Sequence, residues 1–178
     1  MYDAEQIAKL RLIRSENVGC VTCAALIGRF GSARNALENL PETAKRGGAR
    51  SCPHIYTNAQ AQKEIEALEK FGASLIFDTD DAYPPLLKQI PDAPPVLSVA
   101  GNTGLLRTRF IALVGTRNAS INGRHMARQM AAEFVQAGFS VVSGLALGID
   151  AAAHEGALTK ATANASTVAG VGSGIIVP

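Results

Sequence analysis

Two glycine-rich loops carry the side chains of this sequence that are best suited to chemistry. The loops are GTRNASING at 115–123 and SGLALGID at 143–150, and an apolar run precedes each of them. Each loop leads into a helical pattern, so the free amides of a helix N-terminus adjoin glycines that let a ligand approach the backbone. Arg117 adds a planar guanidinium that suits phosphate. Hydroxyl groups come from Thr116, Ser120 and Ser143. The two loops therefore predict an anion-binding site.

The loops give less support to catalysis than to binding. Neither has the Walker spacing, the G-x-G-x-x-G spacing of a dinucleotide site, or an acid placed to hold a ribose. Asp150 and His154 lie four residues apart on one helix and could form an acid–base pair. The alternative that we favour is local, with Asp150 complementing its helix dipole and His154 bonding a neighbour. A nucleophilic Ser143 has no elbow sequence around it. We expect a protein that is not an enzyme.

The cysteines raise the question of a metal site. Cys20, Cys23 and Cys52, with His54 beside the last, have the side-chain types of a zinc site. Cys23 stands in an apolar run, however, and this context favours a small core residue. We therefore expect no metal and no cofactor.

The composition indicates a globular chain with a local excess of positive charge. The 178 residues are 47% hydrophobic and 18% charged, with a net charge of +2, which excludes a disordered chain. No apolar run approaches the length of a membrane span, and we expect a cytoplasmic protein. Five arginines with no acid between them fall in one stretch, namely Arg107, Arg109, Arg117, Arg124 and Arg128. They predict a field that attracts anions.

The elements that must position the loops follow from the apolar periodicity. It predicts helices at 3–14, 21–30, 58–71, 120–137 and 149–161, and a short helix that Ser32 caps and that ends before Pro41. It predicts strands at 73–77, 96–101, 109–115, 139–144 and 166–172. Alternating strands and helices indicate a Rossmann-like α/β fold, with a parallel sheet and helices on both faces. The helix at 120–137 is expected to face the sheet with Met126, Met130, Phe134 and Ala137.

The loops and their surroundings resemble the signature of the DNA-processing protein A (DprA/Smf) family. That family's pattern runs G-[ST]-R-x-x-S-x-Y-G, then S-G-x-A-x-G-I-D-x-x-A-H. The matching positions are Gly115, Thr116, Arg117, Ser120, Gly123, Ser143, Gly144, Ala146, Gly148, Ile149, Asp150, Ala153 and His154. The segment YPPLLKQIPDAPPVLSVAGN at 83–102 is also similar to the family's lead-in to its sheet.

The resemblance implies a protein that binds single-stranded DNA, protects incoming DNA in natural transformation and loads a RecA-type recombinase onto it. It implies a homodimer formed through the Rossmann-like domain. It also implies that Gly115, Thr116 and Arg117 grip phosphates. We predict that the DNA-binding site comprises Gly115, Thr116, Arg117, Ser120, Gly123, Arg124, Ser143, Gly144, Ala146, Gly148, Asp150 and His154.

The N-terminal helices resemble the small SAM-like or helix-hairpin-helix domain of that family, although a plain αα-hairpin explains them as well. We predict a helical domain at 1–56 and an extended Rossmann-like DNA-binding domain at 57–178. The second domain is expected to be incomplete. After Gly172-Ser173-Gly174 the chain lacks the family's following Asp and Tyr, which suggests a truncated C-terminus.

Other departures and alternatives bear on function. The family's Tyr before Gly123 is Asn122 here, which removes a ring on which a base could stack. A Rossmann-like nucleotide phosphoribohydrolase is an alternative, but the sequence lacks the G-G-x-G-T loop and the catalytic Glu/Arg pair of such enzymes. A dinucleotide-binding oxidoreductase module is a third possibility, without its fingerprint.

Overall fold

The computed structural model describes residues 2–48, 51–172 and 175 and divides into two compact units, Met1–Gly101 and Asn102–Pro178. The first unit contains α1 (Ala4–Arg14), α2 (Cys20–Phe30), α3 (Ala33–Arg46), α4 (Asn58–Phe71), β1 (Ala73–Phe77) and β2 (Val96–Ala100). The second contains β3 (Phe110–Ala112), α5 (Ile121–Gln136), β4 (Ser140–Ser143), α6 (Ile149–Leu158) and β5 (Thr167–Ala169). Short 3-10 turns occupy Leu87–Gln89 and Thr103–Arg107.

The first three helices form one core, as the periodicity predicts. Asp3 caps α1 by accepting from the amides of Glu5 and Gln6, and Ser32 caps α3. The carboxylate of Glu5 in turn accepts from the amides at the start of α3, where the helix dipole favours a negative charge. Cys23 is completely buried among apolar side chains of this core. Its interpretation as a core residue is confirmed.

The third helix was predicted to end before Pro41. It instead continues through Pro41 and ends at Arg46. Proline lacks the amide that would bond the preceding turn, which usually ends a helix. Here Leu37 and Leu40 are buried in the core shared with α1 and α2, and this packing stabilises the part of α3 that leads up to Pro41. The side chain of Thr43 donates back to the carbonyl of Asn39 at 2.8 Å.

The first two strands form an antiparallel pair and do not belong to the parallel sheet that was predicted. In the register of this pair, Ala73 lies opposite Ala100 and Phe77 opposite Val96. The connection between the strands, residues 78–95, contains a single short 3-10 turn. A parallel pair needs a crossover of a dozen or more residues, usually a helix, that returns the chain to the starting end. This Pro-rich connection instead reverses the chain.

The predicted domain boundary between residues 56 and 57 lies inside the first unit. Helix α4 and the β1–β2 pair belong to that unit because α4 packs on both α1 and β1. Arg14 of α1 forms an ion pair with Glu64 of α4, at 2.8 Å. Lys9 of α1 forms another with Asp78, just after β1, at 2.5 Å.

The second unit is a three-stranded parallel sheet in the order β3-β4-β5. Phe110 lies opposite Ser140, and Val141 opposite Thr167. Helix α5 connects β3 to β4 and helix α6 connects β4 to β5. Both helices contact β4 and each other, so they share one face of this sheet. The Rossmann-like parallel fold preceded by a helical domain is confirmed. The prediction of helices on both faces differs from this unit, where α5 and α6 lie on the same face because both crossovers run in the same direction along the order β3-β4-β5.

Of the side chains predicted to face the sheet from α5, Phe134 packs partly buried against the core, whereas Ala137 is exposed. Met126 and Met130 are exposed, whereas Ala127, Ala131 and Val135 are buried. The reason is the close approach of α6, where the backbone of Gly156 packs against α5. A Cβ atom at Gly156 would stand 2.7 Å from the Cα of Arg128. Only small side chains fit at such a crossing, so the alanine stripe faces inward and the methionines face outward.

Candidate functional site

The two glycine-rich loops meet where β3 and β4 end side by side. Because parallel neighbours end at the same edge of a sheet, the loops that follow them are adjacent. The amide of Ile149 donates to the carbonyl of Thr116 at 3.3 Å and joins the two loops directly. A Cβ atom at Gly148 would stand 2.8 Å from the carbonyl carbon of Arg117. The backbones of the two loops are therefore in contact, as predicted from the sequence.

The start of α5 presents backbone donors on the same edge. Ser120 is the N-cap, and its hydroxyl accepts from the amide of Gly123 at 3.1 Å. Thr116 is exposed, and its Oγ1 accepts from the amide of Asn118 at 3.2 Å. The remaining first-turn amides of α5 have no partner within the helix. Free amides at a helix N-terminus are suited to binding an anion.

Two arginines near these amides have free guanidinium groups. Arg117 and Arg124 are exposed, and neither forms an ion pair with any residue that the structure describes. Two other arginines of this unit have partners. Arg128 forms an ion pair with Glu155, and the guanidinium of Arg109 stacks on the ring of Phe139, 4.4 Å from its centroid. The positive charge available to a ligand of the loops therefore comes from Arg117 and Arg124.

Ser143 does not offer its hydroxyl to a ligand in this arrangement. The side chain is buried, and its Oγ donates to the carbonyl of Leu113 at 2.7 Å. Leu113 directly follows β3, so this bond ties the carboxyl ends of β3 and β4 together. Ser143 thus lies beneath the loops and fixes their spacing.

Asp150 shapes the second loop from below. Its carboxylate is 7% exposed and accepts from the amides of Gly144 and Ala146, at 3.2 and 3.4 Å. These two bonds enclose Leu145, whose φ of +58° is left-handed and rare for a bulky side chain. A Cβ atom at Gly144 would stand 2.9 Å from the Asp150 Oδ2. Asp150 therefore fixes the backbone of the 143–150 loop through these hydrogen bonds, and it also lies in the first turn of α6.

His154 is placed behind the loops, between α6 and β5. It is 9% exposed, and its Nδ1 lies 2.6 Å from the hydroxyl of Thr167. That hydroxyl donates to the carbonyl of Val141 at 3.1 Å, so it accepts from the His154 Nδ1–H. Burial lowers the pKa of His154, and the nearby Asp150 carboxylate opposes that shift. No hydrogen bond joins Asp150 to His154, and each has the kind of local partner that we favoured.

Neither a metal site nor a membrane span emerges from the part of the chain that the structure describes. Within residues 2–48, 51–172 and 175, no three His, Cys, Asp or Glu side chains come together as metal ligands. Cys52 is exposed and Cys23 is buried, where burial raises the pKa of its thiol to about 11. No helix in these ranges is long and apolar enough to cross a membrane.

Exposed apolar side chains surround the loops, and the sequence reasoning missed them. We call these residues the apolar rim: Val114, Ile121, Leu145 and Leu147, which are 76%, 77%, 63% and 77% exposed. The signal was present in the alternation of SGLALG, where glycine, serine and alanine leave two leucines that no buried strand explains. Large apolar side chains grouped on a surface indicate a site of interaction.

The fold is a Rossmann-like α/β domain that follows a helical domain, and two glycine-rich loops meet at one edge of its parallel sheet. The family model described as DNA recombination-mediator protein A matches residues 74–178, and the model described as the DprA-like N-terminal HHH domain matches residues 3–67. The chain therefore belongs to the DNA recombination-mediator protein A family, as the resemblance of its loops predicted.

Several relatives support this membership. The chain is 38% identical over 115 residues to protein Smf of Synechocystis, covering 62% of this chain and 28% of that protein. It is 31% identical over 188 residues to a putative DNA processing protein DprA of Mycobacterium tuberculosis, covering 96% of this chain and 47% of that protein. The crystal structure of DNA processing protein A from Streptococcus pneumoniae superposes with a TM-score of 0.62 at 27% identity, covering 99% of this chain and 60% of that one. The chain thus spans about half or less of the length of these curated relatives.

Proposed function

We propose that this protein binds single-stranded DNA through the loops at 115–123 and 143–150. We further propose that it protects incoming DNA during natural transformation and loads a RecA-type recombinase onto it. Support comes from family membership and from relatives that carry the name DNA processing protein. The observation that carries the proposal is the free guanidinium of Arg117, held in a loop whose backbone touches a second glycine-rich loop.

The proposed site residues divide into two groups by their exposure and bonding. Those that would contact phosphate or form the surface next to it are Gly115, Thr116, Arg117, Ser120, Gly123, Arg124, Gly144, Ala146 and Gly148. Those that would support this surface from beneath are Ser143, Asp150 and His154, which are buried and bonded to protein atoms. Phosphate has a high affinity for guanidinium and for helix N-terminal amides, so the first group is suited to a DNA backbone.

We propose that the protein acts by binding and not by catalysis. Among the polar side chains of the two loops and of α6, Ser143 and Asp150 bond to protein backbone, and His154 contacts Thr167 through Nδ1 while its Nε2 is buried away from solvent. We also propose a cytoplasmic homodimer that assembles through the Rossmann-like domain, whose parallel sheet belongs to the unit Asn102–Pro178, with the N-terminal helices as a separate functional domain. Sedimentation of the purified protein at several concentrations would test the dimer.

The DNA proposal is tested by fluorescence anisotropy with a labelled single-stranded oligonucleotide and the matching duplex, each at two salt concentrations. We compare the wild type with Arg117→Ala. Lys160→Ala is the matched control, because it removes one exposed positive charge from the same unit at the far end of α6. Circular dichroism of both variants is measured first to check that each one folds.

We expect the wild type to prefer the single strand in a salt-sensitive manner. Arg117→Ala should weaken binding of every sequence alike, because phosphate contacts carry no base information. The slope of log affinity against log salt should fall by about 0.7 when one phosphate contact is lost. Lys160→Ala should change neither quantity. Equal effects of the two substitutions would refute the role of Arg117, and the absence of DNA binding by the folded wild type would refute the proposed function of this chain.

A further inference from the structure

Leu145 has an unusual backbone conformation as well as an exposed side chain. Its φ of +58° is in the left-handed region, where a Cβ atom crowds the neighbouring carbonyl, and yet 63% of its surface is exposed. A surface leucine has no packing partner that would compensate this strain. Strain of this kind persists only where the surroundings impose it, and it concentrates at ligand sites.

The surroundings that impose this conformation are the two bonds to Asp150. The amides on either side of Leu145, those of Gly144 and Ala146, both donate to the Asp150 Oδ2. A buried carboxylate thus fixes the residues before and after Leu145, which turns the side chain between them away from the carboxylate and towards solvent. Asp150 is a positioning residue, and Leu145 is the side chain that it positions.

Leu147 is exposed directly beside the proposed phosphate loop. It precedes Gly148, whose backbone packs against the carbonyls of Thr116 and Arg117. It is 77% exposed, the same fraction as Ile121 at the start of α5. Leu147 therefore lies next to a residue that packs on the backbone of Arg117, and Ile121 is the first residue of α5.

This juxtaposition fits single-stranded nucleic acid, which presents charged phosphates and unpaired apolar base faces along one strand. A duplex stacks its base faces inside and exposes only phosphates, sugars and base edges. We propose that Leu145 and Leu147 contact the base faces of single-stranded DNA whose phosphates bind the 115–123 loop, and that they thereby select single strands over duplex. The inference rests on the proposed function. The two loops contain no aromatic residue, so these contacts are aliphatic and carry little base preference.

The test is a cycle of two changes, one in the protein and one in the DNA. The 178-residue chain and its Leu145→Asn/Leu147→Asn variant are titrated with an oligo-dT strand and with an abasic strand of equal length and charge. Asparagine tolerates the left-handed conformation, so the loop is preserved. Leu158→Asn is the matched control, because Leu158 is 61% exposed at the opposite end of α6.

We expect the wild type to bind oligo-dT about tenfold more tightly than the abasic strand. This is roughly the gain in affinity expected when two leucine side chains are each half buried by the bases. The double variant should bind both strands with the affinity that the wild type has for the abasic strand. Its salt slope should be unchanged, since no phosphate contact is lost. Leu158→Asn should behave as the wild type.

Three results would overturn the inference. If the wild type binds both strands alike, the bases are not contacted, although binding through phosphates stands. If the double variant keeps its preference for oligo-dT, other residues contact the bases. If the double variant loses affinity for both strands equally, the leucines support the loop without touching DNA. Failure of the wild type to bind any strand would refute the proposed function together with this inference.

Discussion

Replacement of Gly148 by alanine would test whether contact between the two loops is what builds the site. Gly148 has φ +83° and ψ −118°, a conformation that side chains rarely adopt, at a cost of about 1–3 kcal/mol. Its new methyl group would overlap the carbonyls of Thr116 and Arg117, so the loops must separate. Separation breaks the hydrogen bond from Ile149 to Thr116, which contributes about 1 kcal/mol. We expect a loss of stability of about 2–4 kcal/mol in total.

The measurement is urea unfolding followed by circular dichroism, together with anisotropy titration of single-stranded DNA. Affinity should fall roughly tenfold or more although no charge changes, because displaced binding groups lose their mutual geometry. Gly28→Ala is the control, since Gly28 is exposed within α2 and an added Cβ meets no atom within 4 Å. That variant should gain about 0.5–1 kcal/mol from helix propensity. If Gly148→Ala matches the wild type in both stability and affinity, the close contact between the loops is not required, and our account of the site is refuted.

Two further predictions concern the packing behind the loops. Gly156→Ala places a methyl group 2.7 Å from the Arg128 Cα, so α5 and α6 must move apart, and we expect urea unfolding to show a loss of about 1–3 kcal/mol. An unchanged midpoint would show that the crossing is looser than described. His154 has a pKa below its ordinary 6.5, mainly because of burial, so the folded protein binds its proton less readily than the unfolded chain does. The resulting stability is complete above pH 6.5 and is lost as the pH falls through the lower pKa of the folded state. His154→Asn should therefore show a flatter decline of unfolding midpoint below pH 6.5, and equal declines would contradict this assignment.

Local chemistry made most of the elements predictable, whereas their pairing depended on distant parts of the chain. Apolar periodicity located the helices at 4–14 and 58–71 and all five strands, because each contains apolar side chains that are buried or partly buried. The same periodicity cannot state which strand pairs with which, or in what direction. Residues 78–95 contained the missing information, since a Pro-rich connection without a long helix favours an antiparallel pair.

The orientation of α5 shows a second limit of reading one segment at a time. Its methionines form a more hydrophobic stripe than its alanines, so hydrophobicity alone selected the wrong face. The inward face is decided by the other helix, where Gly156, Ala153 and Ala157 bring α6 close. Where small residues on one helix allow a close crossing, the neighbouring helix must also have small residues at the crossing. Comparing both helices before assigning either face would have found it.

The meeting of the two glycine-rich loops was predictable from the sequence, but which of their polar side chains are buried and which are free was not. Ser143, Asp150 and Arg117 are all polar and all match the family pattern, so the sequence alone does not distinguish their roles. In the structure the first two are buried and bonded to carbonyl and amide groups of the protein, while the third is free. A polar residue in a motif can build the loop or contact the ligand, and only its partners distinguish these roles. The positions that the pattern leaves open, Leu145 and Leu147, are more exposed than the aspartate and serine that it specifies. In this loop the specified Asp150 fixes the backbone through Gly144 and Ala146, and that backbone leaves the unspecified Leu145 and Leu147 exposed to solvent.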